Sequence, residues 1–229
     1  MSADRPGTAI NNRRPVAAKP PEKKKKELNV KMAKIHISTT NAKIGGQIAS
    51  INMPAGVTCR PDAPCARLCY AMRGNYRFQN VQKSHAENLA AYLKDPDGFF
   101  GAVADGTRLF RFVRWHASGD IVDMEYFRGM VKVAEQNRWA DYLAFTKKWE
   151  LVNAYIDAGG VIPDNLHIVF SAWGELLPDN PHGLPVAYVA GVGGDALIPA
   201  GSIPCAGRCD RCLACWQLRN GQTVFFNKH

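Results

Sequence analysis

Residues 110–120 read FRFVRWHASGD, and this stretch predicts the architecture of the chain around it. Its first seven residues are rich in aromatic and β-branched side chains, which is typical of a strand, and a polar, glycine-containing turn follows. Asp120 or Asp123 can cap a helix after that turn. The apolar face of this helix recurs at helical spacing, at Met124, Phe127, Val131 and Ala134.

The same strand and helix pattern recurs downstream. The pattern predicts short apolar strands at residues 142–145 and 166–170. It also predicts a helix ended by glycines at residues 148–158 and a further candidate strand at residues 186–189. Strands that alternate with helices predict an α/β fold with a parallel sheet. We expect either a partial (β/α) barrel or an open parallel sheet with helices outside, and ligands at the carboxyl ends of its strands.

The segment before residue 110 contains two shorter signals. Ile35, Ile37 and residues 44–51 predict short strands that a pair of glycines interrupts. A helical repeat then runs through Val81, His85, Leu89 and Tyr92. The run Asp-Pro-Asp-Gly at residues 95–98 predicts the end of this helix.

The net charge of +9 over 229 residues is distributed unevenly. Residues 1–34 hold ten Lys and Arg against three Asp and Glu, whereas residues 35–229 hold 19 against 17. We therefore predict a disordered basic tail over residues 1–34 and a single α/β domain over residues 35–229. The tail either binds the phosphate backbone of nucleic acid or serves as a solubilising leader.

Two absences in the sequence bear on location. No apolar run approaches the roughly 20 residues that a membrane helix needs, and the first 26 residues contain no apolar stretch of the secretory kind. We expect a cytoplasmic protein without membrane contact. Its thiols then stay reduced, which favours metal binding over disulfides.

The seven cysteines fall into two groups. The second cysteine group comprises Cys205, Cys209, Cys212 and Cys215. Four thiolates within eleven residues can close around one centre, and the CxxCxxC run favours a [4Fe–4S] cluster. Zinc is the alternative, although structural zinc more often takes two separated cysteine pairs. The fold prediction therefore includes a C-terminal, cysteine-rich, metal-binding segment.

The first cysteine group comprises Cys59, Cys65 and Cys69, one ligand short of saturating a zinc ion or a four-iron cluster. A metal centre with an open position is typical of a reactive site, whereas a saturated centre is structural or carries electrons. The alternative is a plain zinc site that His36 or His85 completes.

Several blocks of this sequence resemble the gene product 88 family of tailed phages. They lie at residues 41–46, 53–59, 69–71, 77–81, 116–120 and 145–147, and in the terminal Cys-x2-Cys-x2-Cys-Trp run. The resemblance extends over about residues 35–220 and implies a location in the cytoplasm of the host cell. It implies no particular activity.

The arrangement is more distantly similar to radical S-adenosylmethionine (SAM) enzymes. Those enzymes bind a [4Fe–4S] cluster through three cysteines after the first strand of a partial barrel, bind SAM at the fourth iron and cleave it to a 5′-deoxyadenosyl radical. The resemblance implies that Cys59, Cys65 and Cys69 hold this cluster and that the second group holds an auxiliary one. It also implies SAM contacts at Tyr70, Ser118, Gly119 and Asp120.

This chain differs from that enzyme class in two places. Its cysteines are separated by five and three residues where three and two are usual, and residues 116–120 replace the usual Gly-Gly-Glu segment. The leading hypothesis is an iron–sulfur enzyme with radical-SAM-like chemistry on an unknown substrate, served by an electron donor; a nucleotide or nucleic acid is the candidate that the basic tail suggests. The competing hypothesis is a non-enzymatic zinc or iron–sulfur protein that binds nucleic acid or a host partner.

Overall fold

The computed structural model describes residues 34–39, 41 and 43–227. The predicted basic tail, apart from Lys34, lies outside these described residues. No helix in the described part of the chain is long and apolar enough to cross a membrane.

One sheet of eight strands runs through the described domain. Its strands are β1 Ile37–Ser38, β2 Ile48–Ile51, β3 Phe112–Trp115, β4 Asp141–Thr146, β5 Leu166–Ser171, β6 Val186–Ala190, β7 Ile203–Pro204 and β8 Thr223–Asn227. Their order is β1-β2-β3-β4-β5-β6-β8-β7, and every neighbouring pair except β1 with β2 is parallel. The predicted α/β fold is confirmed, and the sheet is open because β1 and β7 form its edges.

The helices that connect these strands cover one face of the sheet. They are α1 Gln79–Lys94, α2 Pro96–Thr107, α3 Met124–Gln136 and α4 Trp149–Asp157. Strands β2 to β6 follow one another in sequence order, and right-handed crossovers then place every connecting helix on the same side. The larger core lies between this helical layer and the sheet, with Phe99, Phe127 and Val152 facing Trp115, Tyr142 and Ile168.

Two helix starts correct or refine the sequence prediction. Residues 95–98 end α1, as predicted, but they also begin α2, which the sequence pattern did not predict. The Asp95 carboxylate accepts a hydrogen bond from the Gly98 amide at 3.0 Å, and Pro96 occupies the first helical position, where no amide donor is needed. Of the two candidate caps for α3, Asp123 is the one used, since its carboxylate accepts from the Tyr126 amide at 2.8 Å.

The other face of the sheet is covered by the C-terminal segment. Inward-facing side chains of four strands, Leu143, Val169, Ala187 and Val224, form a second core with Trp216 and Leu218. Trp216 is buried, its indole packs edge-on against Phe112 at 5.7 Å, and its Nε1 donates to the Asp141 carbonyl at 3.2 Å. The second cysteine group is therefore held against the sheet by an aromatic anchor at its end.

This anchor is testable by truncation. Trp216→Ala should lower the free energy of unfolding by about 3–5 kcal/mol, because it opens a cavity in the second core. Trp139→Ala is the matched control, since Trp139 is 41% exposed and should cost about 1 kcal/mol or less. Urea unfolding followed by circular dichroism measures both, and equal losses would contradict the anchoring role.

Candidate functional site

The first cysteine group lies in the long connection between β2 and α1, at the carboxyl edge of the sheet. Three short 3-10 turns, Pro64–Leu68, Tyr70–Met72 and Gly74–Arg77, make up most of its second half. Prolines and glycines recur through the connection, which disfavours a continuous helix and keeps the cysteines in a loop.

The three thiols of this group influence one another. Burial raises the pKa of Cys59, and the nearby charges of Asp120, Cys69 and Cys65 raise it further, against a 3.4 Å hydrogen bond from the Gly56 amide. Burial likewise raises the pKa of Cys69, with a further contribution from Cys65. A shared cation would relieve this repulsion and favour the thiolates, as metal ligation requires.

An arginine fastens this loop to the next layer. The Arg60 guanidinium donates to Asp62 at 2.6 Å and to Glu150 at 2.7 Å, and it lies 5.0 Å above the Trp149 ring. Trp149 and Glu150 begin α4, the helix that follows β4. Arg60 therefore links the loop of the first cysteine group to the start of α4.

The turn after β3 is interlocked with the loop after β2. The Ser118 hydroxyl donates to the Met53 carbonyl at 3.0 Å, and the Met53 amide donates to the Ser118 carbonyl at 3.0 Å. Gly119 has φ +80°, and a Cβ there would lie 2.6 Å from Thr58 Oγ1 and 2.7 Å from Met53 Cβ. Only glycine allows this approach of the two loops.

Asp120 extends the interlock to a third loop. Its buried carboxylate accepts hydrogen bonds from Thr146 Oγ1 at 2.7 Å and from the amides of Lys147 and Ile121 at 3.0 and 2.8 Å. Its own amide donates to Thr58 Oγ1 at 3.0 Å. Burial raises the pKa of Asp120, and these hydrogen bonds oppose that rise. Asp120 thus joins the loops after β2, β3 and β4.

Tyr70 presents a ring face beside the last cysteine of the first group. Its hydroxyl donates to the Ala117 carbonyl at 2.6 Å, whereas the residue as a whole is 55% exposed. Burial of the hydroxyl end raises the pKa of Tyr70 to about 12. The ring packs edge-on against Tyr76 at 5.8 Å, so its orientation is set from two sides.

The two histidines weighed as zinc ligands have other neighbours. His36 Nε2 lies 2.5 Å from a Glu87 carboxylate oxygen, and the His85 ring lies 6.1 Å from that of Tyr76. Among the residues that the structure describes, no three His, Cys, Asp or Glu side chains already converge as a metal site. A metal shared by the thiols of either group would therefore require them to move toward a common centre.

The second cysteine group surrounds a single cavity on the inner face of the sheet. Its four cysteine residues line this cavity with Arg114 and Phe145, and the volume of the cavity is about 30 Å³. The short helix α5, Cys209–Cys212, is hydrogen-bonded to the segment before β2 through the Cys209 amide and the Lys43 carbonyl at 3.1 Å. Burial raises the pKa of Cys215 to about 12, so this thiol is protonated without a metal at neutral pH.

Arg114 lies beside the second cysteine group, and the sequence prediction did not include it as a site residue. Its guanidinium is 4.3 Å from the centre of the Phe145 ring, and its Nε donates to the Trp115 carbonyl at 3.2 Å. Its charge lowers the pKa of Cys209 and Cys215 and also that of Tyr70, against the larger effect of burial. The sequence signal was an arginine at an inward position of an otherwise apolar strand.

His116 ends β3 in a strained conformation. It has φ +59°, is 3% exposed, and its Nε2 lies 3.1 Å from the Tyr126 hydroxyl while its buried Nδ1 has no partner. Burial, with the charges of Arg114 and Lys148, lowers its pKa from 6.5 to about 3. The imidazole is therefore neutral in the folded protein at physiological pH.

The loop interlock predicts the cost of a single methyl group. Gly119→Ala should destabilise the fold by more than about 2 kcal/mol, because it adds a backbone clash to the strain of a positive φ. Gly183→Ala is the control, since Gly183 has φ +67° and a Cβ added there would meet no atom within 4 Å, and it should cost about 1 kcal/mol. Chemical denaturation that gives equal costs would contradict the interlock.

His116 predicts an acid-sensitive stability. Because its pKa is lower in the folded chain, the unfolded chain takes up the proton first as pH falls, and stability is lost from about pH 6.5 toward pH 3. Between pH 7 and pH 5 this loss is about 2 kcal/mol. His116→Asn, which tolerates a positive φ, should remove that part of the pH dependence in urea titrations. Parallel curves of unfolding free energy against pH for the two proteins would rule out His116 as the source of the acid sensitivity.

The comparisons with known proteins give one family match. The family model described as Gene product 88 matches residues 11–197. The match includes the first cysteine group and the interlocked loops, and it ends before the second cysteine group, whereas the resemblance noted from sequence extended to about residue 220. No curated protein and no solved structure matches the chain. Since the family model spans more than half of its length, this chain belongs to the gene product 88 family.

Proposed function

We propose that this protein is an iron–sulfur enzyme with radical-SAM-like chemistry. The observation that carries the proposal is the position of the first cysteine group. Cys59, Cys65 and Cys69 follow the first parallel strand, β2, of a sheet whose strands β2 to β6 are in sequence order. Three thiols in that loop leave one position of a four-iron cluster open at the edge where ligands of such sheets bind.

The residues around this loop have compatible roles. Cys59, Cys65 and Cys69 would hold the cluster, and the exposed ring of Tyr70 offers a face for the adenine of SAM. Ser118, Gly119 and Asp120 form the turn beside which SAM would lie. When bound, the cluster and SAM supply one-electron cleavage of SAM to methionine and a 5′-deoxyadenosyl radical, with the electron delivered by a reduced carrier protein.

The second cysteine group would hold an auxiliary [4Fe–4S] cluster in this proposal. Its four thiols surround one cavity, and the Arg114 guanidinium beside them offsets part of the negative charge of four thiolates. Arg114 also lowers the pKa of Tyr70, so its charge reaches the neighbourhood of the first cysteine group. We assign it as a positioning residue beside the second cysteine group.

A zinc ion is the second candidate for this group, and the size of the cavity favours it. A cavity of about 30 Å³ is small beside a four-iron cluster, so a single ion needs less rearrangement than a cubane. The corresponding function is a non-enzymatic metal protein that binds nucleic acid or a host partner.

Anaerobic purification of the full chain tests the proposal. With two four-iron clusters the protein should be brown and contain about eight iron and eight sulfide per chain. Dithionite and SAM should then release 5′-deoxyadenosine, measured by liquid chromatography. Cys65→Ala should abolish this product and retain about four iron atoms.

Cys212→Ala is the matched control, because it removes one thiol from the other group. It should lower the iron content while the chain still cleaves SAM. Colourless protein with stoichiometric zinc and no 5′-deoxyadenosine would overturn the radical proposal and leave the non-enzymatic metal protein.

A further inference from the structure

The loop of the first cysteine group exposes an unusual share of apolar side chains. Eleven large apolar side chains of the described chain are substantially exposed, and five of them lie within residues 57–78. They are Val57, Leu68, Tyr70, Met72 and Phe78, with exposed fractions from 40% to 69%. We call the exposed side chains of residues 57–78 the loop surface. Apolar exposure concentrated in one segment is typical of a binding surface.

The loop surface is also strongly basic. It carries Arg60, Arg67, Arg73 and Arg77, with Asp62 as its single acidic residue. Arg60 is neutralised by Asp62 and Glu150. No ion pair within the described residues involves the other three arginines, and Arg73 donates only to the neutral Arg67 carbonyl, at 2.9 Å. Within the part of the chain that the structure describes, these three arginine charges therefore have no compensating carboxylate.

The rings and the arginines belong to one continuous stretch. The Tyr70 and Tyr76 rings are in contact at 5.8 Å, the Arg73–Arg67 bond joins two successive 3-10 turns, and Phe78 is the residue before α1. Exposed aromatic side chains close to arginines are the combination that binds single-stranded nucleic acid, since bases stack on the rings and phosphates pair with the guanidinium groups.

We propose that the loop surface binds single-stranded nucleic acid and presents it to the first cysteine group. The net charge of +7 over residues 1–34 adds attraction for the same polyanion. The inference deepens the proposed function, on which it rests for the reaction, by naming its substrate class. The binding itself does not depend on the proposed reaction.

Fluorescence anisotropy with labelled 20-nucleotide DNA and RNA single strands tests this on the full chain. Replacing two unpaired arginines, Arg67→Glu with Arg77→Glu, should weaken binding at least tenfold and reduce the salt slope by about 1.4. The matched control is Arg128→Glu with Arg138→Glu, which changes net charge equally at exposed positions on and after α3. Its affinity should stay within about threefold of the unmodified chain.

A third variant separates stacking from charge. Phe78→Ala should weaken binding about tenfold while the salt slope stays unchanged, because a ring contacts bases and not phosphates. Thermal unfolding of each variant checks that the fold is retained. Equal losses in the two arginine pairs would assign binding to overall charge and overturn the proposal.

Reduction by an acidic electron carrier gives the other decisive readout. If the Arg67 and Arg77 variant binds both oligonucleotides normally but is reduced more slowly by a flavodoxin-type protein, the loop surface is a carrier site and the proposal fails. Iron content and 5′-deoxyadenosine formation without nucleic acid are measured in the same preparations. Their absence overturns the proposed function alone, whereas unchanged oligonucleotide binding in the variants overturns this inference alone.

Discussion

One topological constraint governs this protein, which is that all the crossovers between β2 and β6 lie on the same side of the sheet. Helices α1 to α4 bury one face, and the other face would expose Leu143, Val169 and Ala187 if nothing covered it. The C-terminal segment supplies that cover through Trp216 and Leu218. The second cysteine group is consequently part of the layer that covers this face of the sheet, and it is not an appended module.

The carboxyl edge of the sheet is organised by a second, smaller device. Three successive loops are joined by Gly119 and by the hydrogen bonds of Asp120, whose carboxylate is satisfied by protein donors. Ser118 is likewise occupied by Met53. These residues hold the loop of the first cysteine group in place beside Tyr70. Their side-chain hydrogen bonds are made to other protein groups, so their role there is to fix the position of the loop.

Arg114 extends from β3 to the second cysteine group. It rests on Phe145 and lines the cavity of the second cysteine group. A cation at an inward strand position is costly unless anionic groups surround it. The four cysteines of the second group lie around the same cavity, so thiolates there would compensate the charge of Arg114.

Much of the central fold could be predicted, because local patterns in β3, α3, β4, α4, β5 and β6 agree with the tertiary structure. The misses have specific causes. Helix α2 was missed because Asp95 and Pro96 end one helix and begin the next within a single turn. Strand β7 was missed because Ile203–Pro204 is too short to show a period. Strand β8 was missed because the short apolar run of Thr223–Asn227 is identified as a strand only by its pairing with β6.

The sequence by itself determined the alternation of strands and helices, the family, and the division of the cysteines into groups of three and four. Those features depend on local periodicity and on spacing along the chain. Only the tertiary structure decided that Arg114 lies beside the second cysteine group, that Ser118, Gly119 and Asp120 interlock three loops, and that the second group covers the face of the sheet opposite the helices. Such contacts join residues tens of positions apart, and pairing at that distance follows from packing and is not written in any local pattern.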